Sequence, residues 1–268
     1  MTEETRKEKI ARRNKRGVFL FFFLLFCASV YLFCRDYRER HKAEERFEEL
    51  RETEDGHSEE RGKSPAPHTL PKEENPDYLG WLSIENTTIS YPVMQRTGAE
   101  EYYLHRDFDG NDSFYGTPFL DIRCSLESDN CIIYGHNING GRMFGALHAF
   151  SEESYYREHP QIEFRVGEEV RSYQIVSVVS TTIDSPIYSF TDTGNWQEYR
   201  EYVEKILYAG SYHTEAARQI GEELAADTEE QFFRKYQFIT LSTCRSWAGR
   251  NARRMVIAAR VRTEEQSD

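Results

Sequence analysis

A cysteine ends one strand-like segment near the end of this chain, and an arginine precedes the next such segment. This arrangement suggests nucleophilic chemistry. Cys244 ends residues 237–244, which are rich in strand formers, and Arg254 directly precedes a second such run, residues 255–261. If the two runs form an antiparallel hairpin, Cys244 and Arg254 lie side by side, and a cation favours the reactive thiolate. A buried structural cysteine is the other interpretation, because free cysteine is among the most buried side chains.

A cysteine nucleophile also needs a nearby group that favours the thiolate and then protonates the leaving amine. Histidine suits both tasks because its pKa lies close to neutrality. Of the eight histidines, His136 is the candidate, since it follows the apolar residues 131–135 and opens the turn at residues 137–141. The other seven are interpreted as solvated or as ordinary partly buried residues: His41, His57, His68, His105, His148, His159 and His213.

The elements that must position these residues read as a mainly β domain with added helices. Eight short runs of aromatic and β-branched residues predict a barrel or a sandwich. They are residues 80–84, 89–94, 116–121, 131–135, 161–166, 169–182, 237–243 and 255–262. Apolar residues at helical spacing over 196–207, extended by 215–224 and 227–235, predict a helical insertion between the sixth and seventh strands.

The N-terminal region has the features of a membrane anchor. Residues 18–34 are apolar and uncharged, at the short end of the length that spans a membrane. Seven cations and three acids precede them, so the positive-inside rule places residues 1–16 in the cytoplasm, residues 17–34 in the membrane and the rest outside the cell. A cleaved signal peptide is the alternative, but the run is long for one and no small-residue cleavage site follows, so we expect an uncleaved anchor.

Between the anchor and the strands lies a charged segment. Residues 35–76 are dominated by charged residues and then by prolines, with little to bury, which predicts a stalk. Charges at helical spacing in residues 37–51 predict a solvated helix within it. We therefore divide the rest of the chain into a catalytic domain at residues 77–263 and a tail at residues 264–268.

Charge and cysteine content exclude several classes of function. The net charge is −12, which argues against a nucleic-acid partner. Of five cysteines, Cys27 and Cys34 lie in or at the anchor, and an odd number, Cys124, Cys131 and Cys244, lie outside. At least one outer thiol is therefore free, although Cys124 and Cys131 could close a short loop. Zinc-like ligand spacing and a Gly-rich phosphate loop are both missing, so we predict no metal and no cofactor.

Three of these features together resemble a known family. Tyr134-Gly135-His136-Asn137, Thr240-Leu241-Ser242-Thr243-Cys244 and Arg254 ten positions later resemble the His, Cys and Arg motifs of sortases, and the Thr-Leu-Ser-Thr-Cys form resembles class B. Residues 75–82, 91–93 and 116–121 and the helical insertion add to the similarity. The resemblance implies a closed eight-stranded sortase-type β-barrel with peripheral helices, carried by a transmembrane helix.

The resemblance also implies a mechanism. Sortases are membrane-tethered transpeptidases of Gram-positive cell surfaces. Cys244 would attack a carbonyl in the C-terminal sorting signal of a secreted protein and form a thioester, and an amine of peptidoglycan or its precursor would displace the enzyme. His136 would protonate the leaving amine and then accept a proton from the incoming one, while the pair rests largely neutral and acts in its minor ionised form.

Arg254 would stabilise the oxyanion or hold the substrate backbone. Its neighbour Arg253 competes for this role. Alternation along a strand puts the two arginines on opposite faces, and the ten-residue spacing from Cys244 favours Arg254.

The same resemblance suggests residues and sequences for substrate binding. Tyr134, Ser242 and Leu104 match groove-lining positions of class B, and Thr243 is a further candidate; hydroxyl groups packed in a barrel wall are the alternative for the polar ones. Glu100 stands where class B often has Asn. Class B relatives suggest an Asn-Pro-x-Thr-x or Pro-Pro-x-Thr-Gly signal, cleaved after Thr and read by the loop at residues 182–193.

Other functions remain open from the residues alone. The same Cys, His and Arg groups would make a cysteine hydrolase if water outcompeted the amine. A pilin-polymerising sortase would use a different amine. A tethered binding domain, in which Cys244 only packs, is the non-enzymatic alternative.

Overall fold

Strands dominate the domain that follows the N-terminal helix. The computed structural model describes residues 3–59, 71–138, 140–244, 249 and 251–262. Within them lie the strands β1 (Tyr78–Ser83), β2 (Ser90–Met94), β3 (Phe119–Leu120), β4 (Asn130–Tyr134), β5 (Asn137–Ile138), β6 (Arg142–Met143), β7 (Gln161–Val166), β8 (Glu169–Thr182), β9 (Tyr236–Cys244) and β10 (Ala252–Val261). The helices there are α1 (Glu3–Glu59), α2 (Pro71–Glu74), α3 (Glu153–Glu158), α4 (Trp196–Ala209), α5 (Glu215–Ala226) and α6 (Glu229–Phe232).

Short 3₁₀ helices cover Tyr102–His105, Phe144–Ser151 and Pro186–Ser189. Residues 60–70 of the predicted stalk (35–76) and the predicted tail at 264–268 lie outside the described residues. The same holds for most of the loop between the last two strands, at residues 245–248 and 250.

Eight of the strands close into a barrel. Their order is β1-β2-β3-β4-β9-β10-β8-β7, and β7 pairs with β1 to close the ring, which decides between barrel and sandwich. The β2–β3 and β4–β9 pairs are parallel and the others are antiparallel. The predicted eight-stranded barrel is confirmed, as is the helical insertion, because α4, α5 and α6 fall between the sixth and seventh barrel strands along the chain.

The insertion covers one face of β9 and β10. Aromatic and aliphatic side chains on α4 and α5 pack with Phe238, Met255 and Ile257 in one buried cluster. Asn195 and Thr214 begin the two helices, each accepting a hydrogen bond from a backbone N–H of the first turn. Every residue of β9 before Cys244 is buried, so this strand is covered on both faces.

The N-terminal helix is long and contains an apolar run, residues 18–34. The described chain separates into two compact units, Met1–Arg46 and Phe47–Asp268. By length and composition, one helix among the described residues could cross a membrane, and it includes the predicted anchor at residues 18–34. The large apolar side chains of that anchor are exposed in the protein alone.

The last part of the predicted solvated helix is instead packed in the barrel unit. Phe47 and Leu50 are buried, with Leu50 only 1% exposed. The Phe47 ring meets Tyr91 of β2 edge-on, with ring centroids 5.4 Å apart, and Arg51 donates to the Ser90 carbonyl at 3.4 Å. The prediction of a solvated helix is therefore wrong for this part. Phe47 and Leu50 are three positions apart and form an apolar stripe only one turn long, which is too short to reveal a buried helix face among the surrounding charges.

We expect this contact to stabilise the barrel unit. Leu50→Ala removes a buried side chain and leaves a cavity, so it should lower the free energy of unfolding by about 2 to 3 kcal/mol. Glu52→Ala, an exposed position nearby on the same helix, is the control and should stay within about 0.5 kcal/mol. Chemical denaturation of the full chain in detergent measures both, and equal losses in the two variants would contradict a docked Leu50.

Candidate active site

Two neighbouring parallel strands bring His136 and Cys244 to the same place. Tyr134 of β4 pairs with Ser242 of β9, and the Gly135 amide donates to the Ser242 carbonyl at 3.1 Å. Two residues further along each strand, His136 and Cys244 project to the same side, because side chains alternate along a strand. Both line one cavity of about 510 Å³.

The other predicted site residues are distributed around this cavity with one exception. Leu104, Tyr134, Ser242 and Thr243 line it together with His136 and Cys244. Arg254 does not line it, and Arg253 does. Arg254 is 4% exposed and lies on the opposite face of β10.

The hairpin of β9 and β10 forms as predicted, but its register differs by one residue from the expected one. Arg253 lies opposite Cys244, and Arg254 lies opposite Thr243. Directly opposed residues of an antiparallel pair share a face, so Arg253 is the arginine beside Cys244. Pairing Arg254 with Cys244 would turn Met255 and the other core residues of β10 to the wrong face, away from α4 and α5.

The imidazole of His136 is held by a backbone carbonyl. Its Nε2 lies 2.7 Å from the oxygen of Leu104, and since a carbonyl only accepts, Nε2 carries a proton and Nδ1 is the atom left for proton transfer. Burial lowers the pKa of His136, the hydrogen bond to Leu104 opposes this, and the neighbouring His105 ring adds to the lowering. The imidazole is therefore a base that is neutral near pH 7.

Backbone contacts fix the two strand ends. The Thr243 hydroxyl donates to the Gly135 carbonyl at 2.8 Å, so this predicted substrate-binding side chain ties β9 to β4. His148, interpreted from the sequence as an ordinary histidine, lies with Nε2 3.1 Å from the Cys244 carbonyl. At Gly135 a Cβ atom would lie 2.6 Å from the Phe144 ring, so only glycine allows this approach beside His136.

A polar network, of which the sequence singled out only Tyr134 and Ser242, forms one wall of the cavity. It joins Asp121, Arg123, Tyr134, Tyr188 and Ser242, which all line the cavity. Burial alone would raise the pKa of Asp121, but hydrogen bonds from Arg123 and Tyr134 hold it below its ordinary value. The available signal was the pair of opposite charges two residues apart, at the end of the predicted strand 116–121.

The remaining outer cysteines differ from Cys244. Cys124 and Cys131 are both free and buried, so they do not close the loop that the sequence left open. Burial raises the pKa of each thiol to about 12, and their sulfurs lie 3.3 Å from the carbonyls of Asn130 and Ser125. Cys244 is half-buried and opens to the cavity, so it is the outer thiol that a substrate can reach.

This arrangement is suited to acyl transfer. A thiol, an imidazole with one nitrogen available and the guanidinium of Arg253 line the same cavity, which supplies a nucleophile, an acid–base group and a charged hydrogen-bond donor. Aromatic and apolar side chains of Leu104, Phe119, Tyr134 and Tyr188 complete the lining and leave room for an extended peptide.

Comparison with known proteins supports this interpretation. The family model described as sortase domain matches residues 82–262. Sortase B of Listeria monocytogenes is 30% identical over 192 residues, which cover 71% of this chain and 72% of the relative.

Solved structures share the fold. The Staphylococcus aureus sortase B–substrate complex superposes with a TM-score of 0.70 at 23% identity, covering 84% of this chain and 100% of the other. A sortase B complexed with triglycine superposes with a TM-score of 0.65 at 24% identity, covering 84% of this chain and 97% of the other.

The lowered pKa of His136 predicts a specific pH dependence of stability. In the unfolded chain His136 binds a proton near its ordinary pKa of 6.5, whereas in the folded protein it binds one only at lower pH. The unfolded state therefore binds more protons below about pH 6.5, so this residue reduces stability as the pH falls and contributes no pH dependence above that value.

When the pH is lowered from about 7.5 to about 5.5, the free energy of unfolding should therefore fall less in His136→Gln than in wild type. Denaturant titrations at both pH values measure it, with His213→Gln, at an exposed position, as the control. A pH dependence that is the same in wild type and His136→Gln would show that His136 binds its proton equally well in both states.

Proposed function

The chain belongs to the sortase family, class B of these cysteine transpeptidases, and on this premise we propose that it attaches secreted proteins to the cell wall. Cys244 cleaves a C-terminal sorting signal after Thr and forms a thioester, and an amine of peptidoglycan or its precursor then takes the acyl group. The observation that carries the proposal is the position of His136 and Cys244 on neighbouring strand ends, facing one cavity.

The proposed reaction uses one proton carrier for both half-reactions. The Cys244 thiolate attacks the threonine carbonyl carbon, and the resulting oxyanion collapses as the C–N bond breaks. Protonated His136 gives its Nδ1 proton to the leaving amine and becomes neutral. Neutral His136 then takes a proton from the incoming amine, whose nitrogen attacks the thioester and expels the thiolate.

The two arginines divide the remaining tasks in this proposal. Arg254 keeps the transition-state role because its ten-residue spacing from Cys244 matches the family motif and its guanidinium is permanently charged. Since it lies on the face of β10 away from the cavity, the role requires its side chain to turn toward Cys244 when the peptide binds. Arg253 lies directly opposite Cys244 and lines the cavity, so we assign it to holding the bound peptide through its carbonyl oxygens.

The proposed location follows from the N-terminal helix. Residues 1–16 would lie in the cytoplasm, residues 17–34 would cross the membrane once, and the stalk from residue 35 would carry the catalytic domain at residues 77–263 outside the cell. The length of the apolar run supports a single membrane span. The cations before it support a cytoplasmic N-terminus.

Substrate and acceptor are proposed from the relatives. One sortase B structure holds a substrate and another holds triglycine, which supports a peptide signal and an unhindered N-terminal glycine amine as reaction partners here. We therefore propose Asn-Pro-x-Thr-x or Pro-Pro-x-Thr-Gly peptides as donors and peptidoglycan amines as acceptors.

Transpeptidation is tested by the fate of the acyl group. Incubated with a panel of these peptides and triglycine, the enzyme should yield a product ending in Thr-Gly-Gly-Gly, identified by mass spectrometry. Cys244→Ala should lower turnover by about 10⁴-fold or more without changing the unfolding curve, and Cys124→Ala is the control thiol variant. A product that is free acid regardless of triglycine would identify a hydrolase, and activity retained in Cys244→Ala would end the proposal.

The arginine assignment predicts two different kinetic signatures. Arg254→Gln should lower kcat by about 10²- to 10³-fold, because it removes a donor that acts in the transition state. Arg253→Gln should raise KM about tenfold with kcat nearly unchanged, because it removes a contact made equally in ground and transition states. Steady-state kinetics on the cleaved peptide separates the two, and the reverse pattern would give the transition-state role to Arg253.

A further inference from the structure

The cavity wall contains an ion pair that links three separate parts of the chain. Asp121 follows β3, and Arg123 lies two residues later. Asp121 is 7% exposed and its backbone N–H donates to the Ile132 carbonyl in the middle of β4, whereas Arg123 is half-exposed and reaches the loop between β8 and α4. The pair therefore connects β3 and β4, which line the cavity, to the loop between β8 and α4, which also lines it.

The carboxylate end of this connection is fully used. Arg123 donates to Asp121 through its backbone N–H at 2.9 Å, Nε at 2.9 Å and a terminal nitrogen at 2.7 Å. The Tyr134 hydroxyl donates to the same carboxylate at 2.8 Å. Because that hydroxyl is occupied, Tyr134 offers the cavity its ring rather than a hydrogen-bond donor.

The guanidinium end holds the loop. The same Arg123 side chain donates to the Tyr188 carbonyl at 2.9 Å, a contact across 65 residues of sequence. The Tyr188 hydroxyl lies 2.6 Å from the Ser242 hydroxyl, two residues before Cys244. The rings of Tyr134 and Tyr188 face each other with centroids 6.0 Å apart and planes 28° apart.

We propose that Asp121 and Arg123 are positioning residues that hold Tyr188 against Tyr134 and so fix the aromatic wall on which the sorting peptide lies beside Cys244. Neither residue contacts the thiol or the imidazole through the hydrogen bonds described, so they act through the two tyrosines. A wall that contacts the peptide before and during the reaction binds ground and transition states alike, which affects KM rather than kcat. This inference rests on the proposed function for its kinetic half only.

The first measurement needs no substrate. In Arg123→Gln the loop loses its charge-assisted hydrogen bond, so the backbone amides of residues 183–190 should exchange with deuterium about tenfold faster than in wild type. Arg123 is half-exposed, so the variant should keep the barrel folded. Arg200→Gln, which breaks an exposed Arg200–Glu204 pair of 2.9 Å on α4, is the matched control and should leave this exchange unchanged.

The second measurement is kinetic. With the peptide that wild type cleaves, Arg123→Gln should raise KM about tenfold and keep kcat within about twofold. Asp121→Asn should do the same, because the neutral amide holds Arg123 less tightly, and Arg200→Gln should match wild type.

The outcomes separate this inference from the proposed function. Unchanged exchange in residues 183–190 would overturn it even if every peptide is cleaved, and a fall in kcat at constant KM would also overturn it. If wild type cleaves no peptide, the proposed function fails, while faster exchange in Arg123→Gln still supports the role of the pair in holding the loop.

Discussion

The site depends on the parallel pairing of β4 with β9. Parallel neighbours cannot be joined by a tight turn, so about a hundred residues, including two barrel strands and the helical insertion, run between His136 and Cys244 along the chain. The pairing also requires cover on both faces, which the barrel interior and helices α4 and α5 provide. Burial fixes the register, and the register places the imidazole and the thiol on the same side.

The same burial decides which arginine faces the thiol. On β10, Met255, Ile257 and Ala259 belong to the buried cluster under α4 and α5. Because side chains alternate along a strand, Arg253 lies on the same face as these three residues, and Arg254 lies on the other face. Spacing along the sequence cannot reveal this, because the loop between the strands is free to add or remove one residue without changing either strand.

The sequence predicted the strands well because each carries its own local signal. The eight barrel strands, the insertion and the cavity-facing positions of Tyr134, His136, Ser242 and Cys244 follow from alternation and from the family motifs. What it missed depends on contacts between distant segments: the docking of Leu50 on the barrel unit, the His148 contact to the Cys244 carbonyl, and the Arg123 contact to Tyr188. The charges of Asp121 and Arg123 are visible in the sequence, but none of these three contacts can be read from a local window, because each partner lies far along the chain.

The buried carboxylate in the cavity wall, that of Asp121, is not used to activate the histidine. The Asp121 carboxylate is shared between Arg123 and Tyr134, and His136 is oriented instead by the neutral carbonyl of Leu104. A carboxylate partner would stabilise the imidazolium, whereas a carbonyl in a buried site leaves its pKa lowered. Neutral His136 is the form that can accept a proton from an incoming amine. The charge of Asp121 instead serves the wall of the cavity, where it holds Arg123 and Tyr134 and, through Arg123, Tyr188.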